Sequence, residues 1–312
     1  MAGQAHGFDN TVVIAKETAY ATAPTTGFQW AGIVESFEPE ENNNIDSRMS
    51  VGVRAPLMLR TGAKEVDGSM SVALQNARLI ALALGKIETT GDGSTTPYTH
   101  TITTVGRGEE LPSVTVQNHN HLLNLTRNYV GGKIDTLTLT ASAEEAVMME
   151  AEFLFSHVED TGITPATVTA ELDNYFMFHE GSVKVNGNQI ADVTEFELEI
   201  GNGLERRFTL NGAGDGRPSR IEEGNLEITA SLTMDFTNTA QWDIFKNEEN
   251  LTVELILQDN VNPNRSITIT LFGGLYDTNS LGVGAEDLQE QELEAIFTDI
   301  EVVAVDGNAT LI

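Results

Sequence analysis

Leu226-Glu227-Ile228-Thr229-Ala230-Ser231-Leu232-Thr233-Met234-Asp235-Phe236 alternates apolar and polar residues without a slip. Successive side chains on a strand point to opposite faces, so this stretch reads as a strand with one buried and one wet face. The same period returns along the chain. Ile134, Leu137 and Leu139 sit among Asp135, Thr136, Thr138 and Thr140. Residues 147–155, 183–185, 251–257 and 267–272 also read as strands. Turn pairs separate them: Gly91-Asp92-Gly93, Gly131-Gly132, Asn186-Gly187 and Asp306-Gly307. Helical pattern is rare. Ala77 to Leu84 is rich in Ala and Leu, follows Asn76 as an N-cap candidate and stops at Gly85. Thr239 to Lys246 follows Asn238 and carries Trp242 and Phe245. Residues 285–296 fit a helix or the approach to a strand. The expected class is all-β, antiparallel, with one short helix per half.

Part of this pattern occurs twice. Phe37-Glu-Pro-Glu-Glu-Asn-Asn-Asn-Ile-Asp-Ser-Arg48 aligns without gaps to Phe196-Glu-Leu-Glu-Ile-Gly-Asn-Gly-Leu-Glu-Arg-Arg207, with five of twelve positions identical. A loop with Arg and Pro follows in each copy, Arg54-Ala-Pro56 and Arg217-Pro218. Next comes an acid–glycine entry to a strand, Asp67-Gly68 and Glu223-Gly224, and then an Asn and a short helix. Four features in one order imply an internal duplication in which residues 37–85 match 196–246. The expected domains are 1–160 and 161–312. The boundary lies between His157 and Phe176, where Gly162, Pro165 and four threonines read as a linker or outer strand.

Composition narrows function. The chain has 312 residues, enough for two domains. It has 47 acids against 17 bases, a formal net charge of −30, so a phosphate-neutralising nucleic-acid surface is not expected. Lysine is confined to six positions, and this acid-rich, lysine-poor balance resembles proteins of salt-loving organisms, where salt screens self-repulsion. Cysteine is absent, which removes disulfides, thiolate metal sites and cysteine nucleophiles. No apolar run approaches a membrane span, and Met1 to Phe8 lacks the marks of a secretion signal.

No catalytic constellation emerges. His119 and His121 share a face, but no third ligand has motif spacing, so they read as surface histidines. Gly282-Val-Gly284 lacks a third glycine for a dinucleotide loop. Gly212-Ala-Gly-Asp-Gly216 lacks the lysine of a phosphate loop. No calcium loop occurs. Four Asn-x-Ser/Thr sequons are ordinary for so Asn- and Thr-rich a chain. A carbohydrate-active sandwich needs paired carboxylates beside aromatic platforms, and the two tryptophans fall in separate predicted core elements. An extracellular or surface-layer β-sandwich adhesion module shares the acidity and the strands.

The opening Val13-Ile-Ala-Lys-Glu-Thr-Ala-Tyr-Ala-Thr22 resembles the K-E-T-x-Y-G-T start of major tail tube proteins of long-tailed viruses, with Ala21 where a glycine is usual. Trp30-Ala-Gly-Ile-Val-Glu-Ser-Phe37 is similar to the segment that follows it there. Phe178-His-Glu-Gly-Ser-Val-Lys-Val-Asn-Gly187, with residues 193–202, resembles the entry to a second domain of this kind. The resemblance implies tandem β-sandwich/barrel tube domains, with no enzyme activity and no cofactor. Duplicated members form trimeric rings of pseudo-sixfold symmetry that stack into a conduit for DNA ejection. The implied partners are further copies of the chain, a tape-measure protein, a tail terminator and baseplate or distal tail proteins. Double-stranded DNA passes through without specific binding, and no membrane is involved. With the composition, the resemblance implies a virus of a salt-loving archaeon.

Two surfaces follow as expectations. Polar strand faces carrying Ser69, Ser71, Glu227, Thr229, Ser231 and Thr233 are candidates for the lumen, where basic side chains would brake sliding DNA; the alternative is that they face the outside. The loop with Arg54, Pro56, Leu57, Met58, Leu59, Arg60 and Lys64 joins scarce bases to three adjacent large apolar residues. It is a candidate for ring stacking together with its counterpart, residues 211–221, which carries Arg217 and Arg220. The alternative is that Leu57 and Leu59 fill their own domain's core.

Overall fold

The structure, a computed structural model, describes residues 4–94, 96–210, 214–283 and 288–312. It is mostly β and antiparallel. The first half runs β1 (Asn10–Lys16), β2 (Gln29–Trp30), β3 (Ile33–Asn42), β4 (Asp46–Arg48), β5 (Met58–Arg60), β6 (Glu65–Ala73), α1 (Arg78–Leu84), β7 (Gly85–Thr90), β8 (Tyr98–Thr104), β9 (Val114–Asn120), β10 (Leu125–Ser142), β11 (Met148–Phe155) and β12 (His157–Glu159). The second runs β13 (Gly181–Val185), β14 (Asn188–Ile190), β15 (Val193–Gly201), β16 (Glu205–Arg207), β17 (Arg220–Glu222), β18 (Glu227–Asp235), α2 (Ala240–Asn247), β19 (Leu251–Gln258), β20 (Ser266–Leu281), β21 (Glu290–Phe297) and β22 (Asp299–Asp306).

Eight strands form the main sheet, in the order β3-β6-β11-β10-β15-β18-β21-β20. The first four come from the first half and the last four from the second. The β10–β15 ladder, from Thr136↔Gly201 to Ser142↔Glu195, joins them. Both β10 and β20 serve two sheets. The N-terminal part of β10 lies in a sheet ordered β2-β1-β9-β10-β12. That of β20 lies in a sheet ordered β14-β13-β19-β20-β22-β8-β7. The ladders branch at these two strands and do not return to their start. Among the described residues, the main sheet therefore has two open edges, β3 and the C-terminal part of β20.

Each long strand turns its corner at a glycine pair. Gly131 has φ 69° and Gly273 has φ 61°, a region that L side chains adopt only at a cost. The second glycine of each pair lies under an aromatic ring. A Cβ at Gly132 would strike Phe155, and one at Gly274 would strike Phe297. A bulge follows at the same step in both places. Ile134↔Phe153 is succeeded by Thr136↔Glu152, and Tyr276↔Ala295 by Thr278↔Glu294, so Asp135 and Asp277 are the extra residues.

One apolar core runs through both halves, from Ile14, Met70 and Phe155 to Phe196, Leu232 and Val302. The residues of α1 are all buried. Its Arg78 donates to the carbonyls of Trp30 and Leu311 and pairs with Glu171. The stretch between His157 and Phe176, expected as a linker or outer strand, is strand at β12, and residues 160–176 form no regular element but are tied to the first half. Gln75 donates to the carbonyls of Glu171 and Asp173, and the Phe176 and Leu74 backbones bond at 2.9 Å. By contrast, α2 has no fully buried residue. The hairpin β7–β8 lies against β22, and nothing comparable stands between α2 and β19.

The helices start slightly later than the sequence predicts. Asn76 and Asn238 each precede the cap and accept a hydrogen bond from the N–H of Arg78 and Ala240. Ala77 and Thr239 take the cap positions. The stretch read as helix or strand is strand from Glu290, and 284–287 lie outside the described residues. The tryptophans, expected in core elements, are only partly covered: Trp30 is half-buried and Trp242 is 37% exposed.

The Lys16-Glu17-Thr18 segment has a clear structural role. Glu17 is buried and accepts from Ser113 Oγ, Thr115 Oγ1, Gly131 N and Ala21 N at 2.6 to 2.9 Å. It thereby binds the 17–22 turn to β9 and to the corner of β10. Ala21 has φ 56°, so a residue with a Cβ occupies the left-handed position where glycine is usual. Ala21→Gly is expected to stabilise the fold by about 1 kcal/mol, because relief of that strain outweighs glycine's extra chain entropy. Urea unfolding of the two proteins checks this; a lower midpoint for the variant contradicts it.

Candidate functional site

The main sheet has one apolar and one polar face. On the polar face, cross-strand neighbours alternate between hydroxyl and carboxylate. One row runs Ser71, Glu150, Thr138, Glu199, Thr229. A second runs Thr140, Glu197, Ser231, Glu294, Thr278. A third runs Ser142, Glu195, Thr233, Glu292, Ser280. The six residues expected on a lumen face, Ser69, Ser71, Glu227, Thr229, Ser231 and Thr233, all fall on this surface. Their acidic neighbours are Glu150, Glu152, Glu195, Glu292 and Glu294, of which the last two fall in the stretch that reads from sequence as a helix or the approach to a strand. Residues 33–42, 65–73, 134–142, 148–155, 193–201, 227–235, 275–281 and 290–297 contain no Lys or Arg. The spacing by hydroxyls keeps most acids from lying directly opposite one another, a pairing that destabilises a sheet. Even so, the charge is felt. Partial burial, and then Glu195 and Glu199 two residues away on the same strand, hold the Glu197 carboxyl above its usual pKa.

Two hairpin arms leave this sheet between matching strands. The first joins β3 to β6. Its strands β4 and β5 pair Asp46↔Arg60, Ser47↔Leu59 and Arg48↔Met58, so the expected loop is in part a hairpin. Every residue from Asn42 to Thr61 is exposed. Leu57 is 66% exposed and Leu59 63%, which excludes the reading that they fill their own core in the single chain. Arg54, Pro56, Met58, Arg60 and Lys64 are exposed beside them. So contiguous an apolar surface on a free chain marks a contact region.

The second arm joins β15 to β18, with β16 and β17 paired Glu205↔Glu222 to Arg207↔Arg220. It rests on the first half of its own chain. Arg206 donates to Asp67 Oδ1 at 2.6 Å, and Lys64 N donates to Gly216 O at 2.8 Å. Lys133, beneath the arm, reaches Ile221 O and Glu223 Oε1. Arg217 lines a surface cavity with Pro24, Phe28 and Asn128, while Arg220 is exposed and pairs with Glu222. Residues 211–213 of this loop lie outside the described residues. The two arms thus match in sequence position but not in surroundings: one is bare and the other docked.

The other positions singled out in the sequence are the histidine pair and two glycine-rich stretches. His119, expected at the surface, is buried. Its ring meets that of His121 edge-on at 4.5 Å. Each ring has a threonine partner, Thr126 for His119 Nδ1 and Thr11 for His121 Nε2. Among the described residues, no group of three His, Asp or Glu has metal-binding geometry. Gly284 and Gly212 lie outside the described residues.

A family model described as phage tail tube protein matches residues 7–300, and the chain belongs to that family. It is a structural subunit of a virion's tail tube and not an enzyme. Among curated proteins none matches. Among solved structures, a chain of the anti-feeding prophage baseplate is 16% identical over 39% of this chain and 89% of its own, with a TM-score of 0.28. The SPP1 tail tube protein is 11% identical over 54% of this chain and 76% of its own, with a TM-score of 0.23.

The polar face makes a pH-dependent prediction. A carboxyl with a raised folded pKa contributes stability that is present below its unfolded pKa and is lost as pH rises through the folded one. Glu197→Gln is therefore expected to stabilise the protein at pH 7 by about 0.5 kcal/mol, the scale of one unfavourable cross-strand neighbour. The gain should vanish near pH 4 and shrink in molar salt. Chemical denaturation at the two pH values checks it; an equal gain at both would exclude charge as the cause.

Proposed function

We propose that this tail tube subunit is of the duplicated kind: two tandem tube domains, 1–160 and 161–312, assembling as a trimeric ring. The observation that carries this reading is the order of the main sheet, four strands from one half followed by the matching four from the other. Corners, bulges and the strand–arm–strand–helix series recur at matching places. Three chains would supply 24 strands to one wall. At about 4.8 Å between strands tilted about 45°, the wall has a backbone diameter of about 50 Å. Side chains narrow it to about 40 Å, ample for a duplex about 20 Å across.

In this reading the hydroxyl–carboxylate face lines the bore, and a wall without bases lets DNA slide without phosphate contacts. The rings stack into the conduit for DNA ejection. Arg54, Pro56, Leu57, Met58, Leu59, Arg60 and Lys64 of the first arm, with Arg217 and Arg220 of the second, make the contact between rings. The bare first arm supplies apolar area, and the arginines supply register against carboxylates. A tape-measure protein, a tail terminator and baseplate or distal tail proteins are the further partners. The acid excess fits a virus of a salt-loving archaeon, whose cytoplasm screens the wall.

Native mass spectrometry and cryo-electron microscopy of concentrated protein test the ring: three chains per ring are expected, and six overturn the duplicated reading. For stacking, Leu57→Asp with Leu59→Asp in one chain is expected to leave rings intact and abolish tubes. Normal tubes from this variant would remove the first arm from the stacking contact.

A further inference from the structure

The main sheet ends in two unlike edges. At one end β3 presents Glu38, Glu40 and Glu41. At the other the C-terminal part of β20 presents Thr278, Asn279 and Ser280. Among the described residues neither edge has a further strand beside it. Long open edges are templates for pairing with another chain. Two β3 edges together would set carboxylate against carboxylate, which is disfavoured, whereas β20 against β3 sets hydroxyl and amide against carboxylate.

The chain already contains such a junction. Inside one molecule, β10 of the first half pairs with β15 of the second, and its polar pairs are Thr138↔Glu199, Thr140↔Glu197 and Ser142↔Glu195. Ser142 Oγ donates to Glu195 Oε1 at 3.2 Å. β20 stands to β21 as β10 stands to β11, with the same bulge and ladder. β3 stands to β6 as β15 stands to β18, again with a matching bulge, at Val34/Ser36 and Val193/Glu195.

We infer that β20 pairs with β3 of a second copy of this chain in the register that β10 makes with β15. The inference rests on the tube-subunit reading and specifies the contact that would continue the wall from chain to chain. Carrying the internal register across places Ser280 opposite Glu40, Leu281 opposite Pro39 and Asn279 opposite Glu41 of the second copy. Asn279 supplies an independent sign. Its Oδ1 accepts from Gln291, but its Nδ2 is buried without a partner, on the residue that this register sets opposite Glu41. The helices give another. Inside the chain, the segment just ahead of β13 is tied to α1 and to the residues before it, through Glu171 to Arg78 and Phe176 to Leu74. The corresponding partner of α2 would be the segment ahead of β1 in the second copy. That segment carries Phe8, 84% exposed, and α2 carries the exposed Trp242.

Because the chain has no cysteine, introduced pairs report alone. Ser280→Cys with Glu40→Cys is expected, after oxidation of assembled protein, to give covalent dimers and trimers on a non-reducing denaturing gel. Thr138→Cys with Glu199→Cys, the internal counterpart, is expected to close within one chain and run as a monomer. Ser280→Cys with Glu38→Cys, two residues out of register, is expected to link at least tenfold less; equal or better linking overturns the register. Cryo-electron microscopy of the unmodified assembly reads the same junction without cysteines. Rings in which β20 is bonded to anything other than β3 overturn the inference and leave the subunit reading standing. Absence of rings altogether overturns both.

Discussion

The constraint on which this molecule depends is that one strand must belong to two sheets. An antiparallel sheet packed on another has to pass its chain across the gap, and here β10 and β20 do so without a loop. The corner needs a residue at positive φ and a second residue with no side chain, so that an aromatic ring can close over the bend. Glu17 then binds the outer side of the first corner to β9 and to the turn at Ala21. Without these corners the core that runs between the main sheet and the two flanking sheets would have no continuous wall.

A second constraint is electrostatic. A sheet with thirteen of its exposed positions acidic and no base among its strands is expensive at low ionic strength. Hydroxyls between the carboxylates moderate the cost, and the apolar face beneath supplies the offsetting burial. The bases go elsewhere. Arg78, Lys133, Arg206 and Arg265 are spent on joints, where each meets a carboxylate and a backbone carbonyl. Arg265 ties the second half to Gln75 of the first and lies over the Phe176 ring. In an acid-rich chain, a cation serves best where it can satisfy several acceptors at once.

Much of this fold was legible in the sequence, and for identifiable reasons. Period-two alternation in 226–236 and in 134–140 gave strands because each has one buried face. The glycine after Leu84 gave the end of α1. The corner motif was also present as letters: Gly131-Gly132 and Gly273-Gly274 are each followed, two residues on, by Asp-Thr. As a repeat it is masked, because the flanking residues differ and because a bulge looks like broken alternation. The lattice of acids and hydroxyls was legible only in part. Each strand shows its own polar residues, but which strands are neighbours is settled by long-range pairing. The difference between the arms was not legible at all, since docking depends on what lies across from Arg206 and Lys64 rather than on either arm's own composition.

The β7–β8 hairpin makes the two halves unequal where they otherwise correspond. It occupies the edge of β22 and has no counterpart after α2. It also belongs to a flanking sheet, across the core from the polar face. Any closed wall made by continuing the main sheet would therefore carry one hairpin for every eight strands. The polar side would repeat with every half-chain and the opposite side only with every whole chain. A molecule travelling along the polar side would meet a finely divided, nearly uniform landscape, while anything gripping the opposite side would find half as many footholds. A single gene product would thus present two periodicities, a smooth one and a coarse one, on the two sides of the same wall.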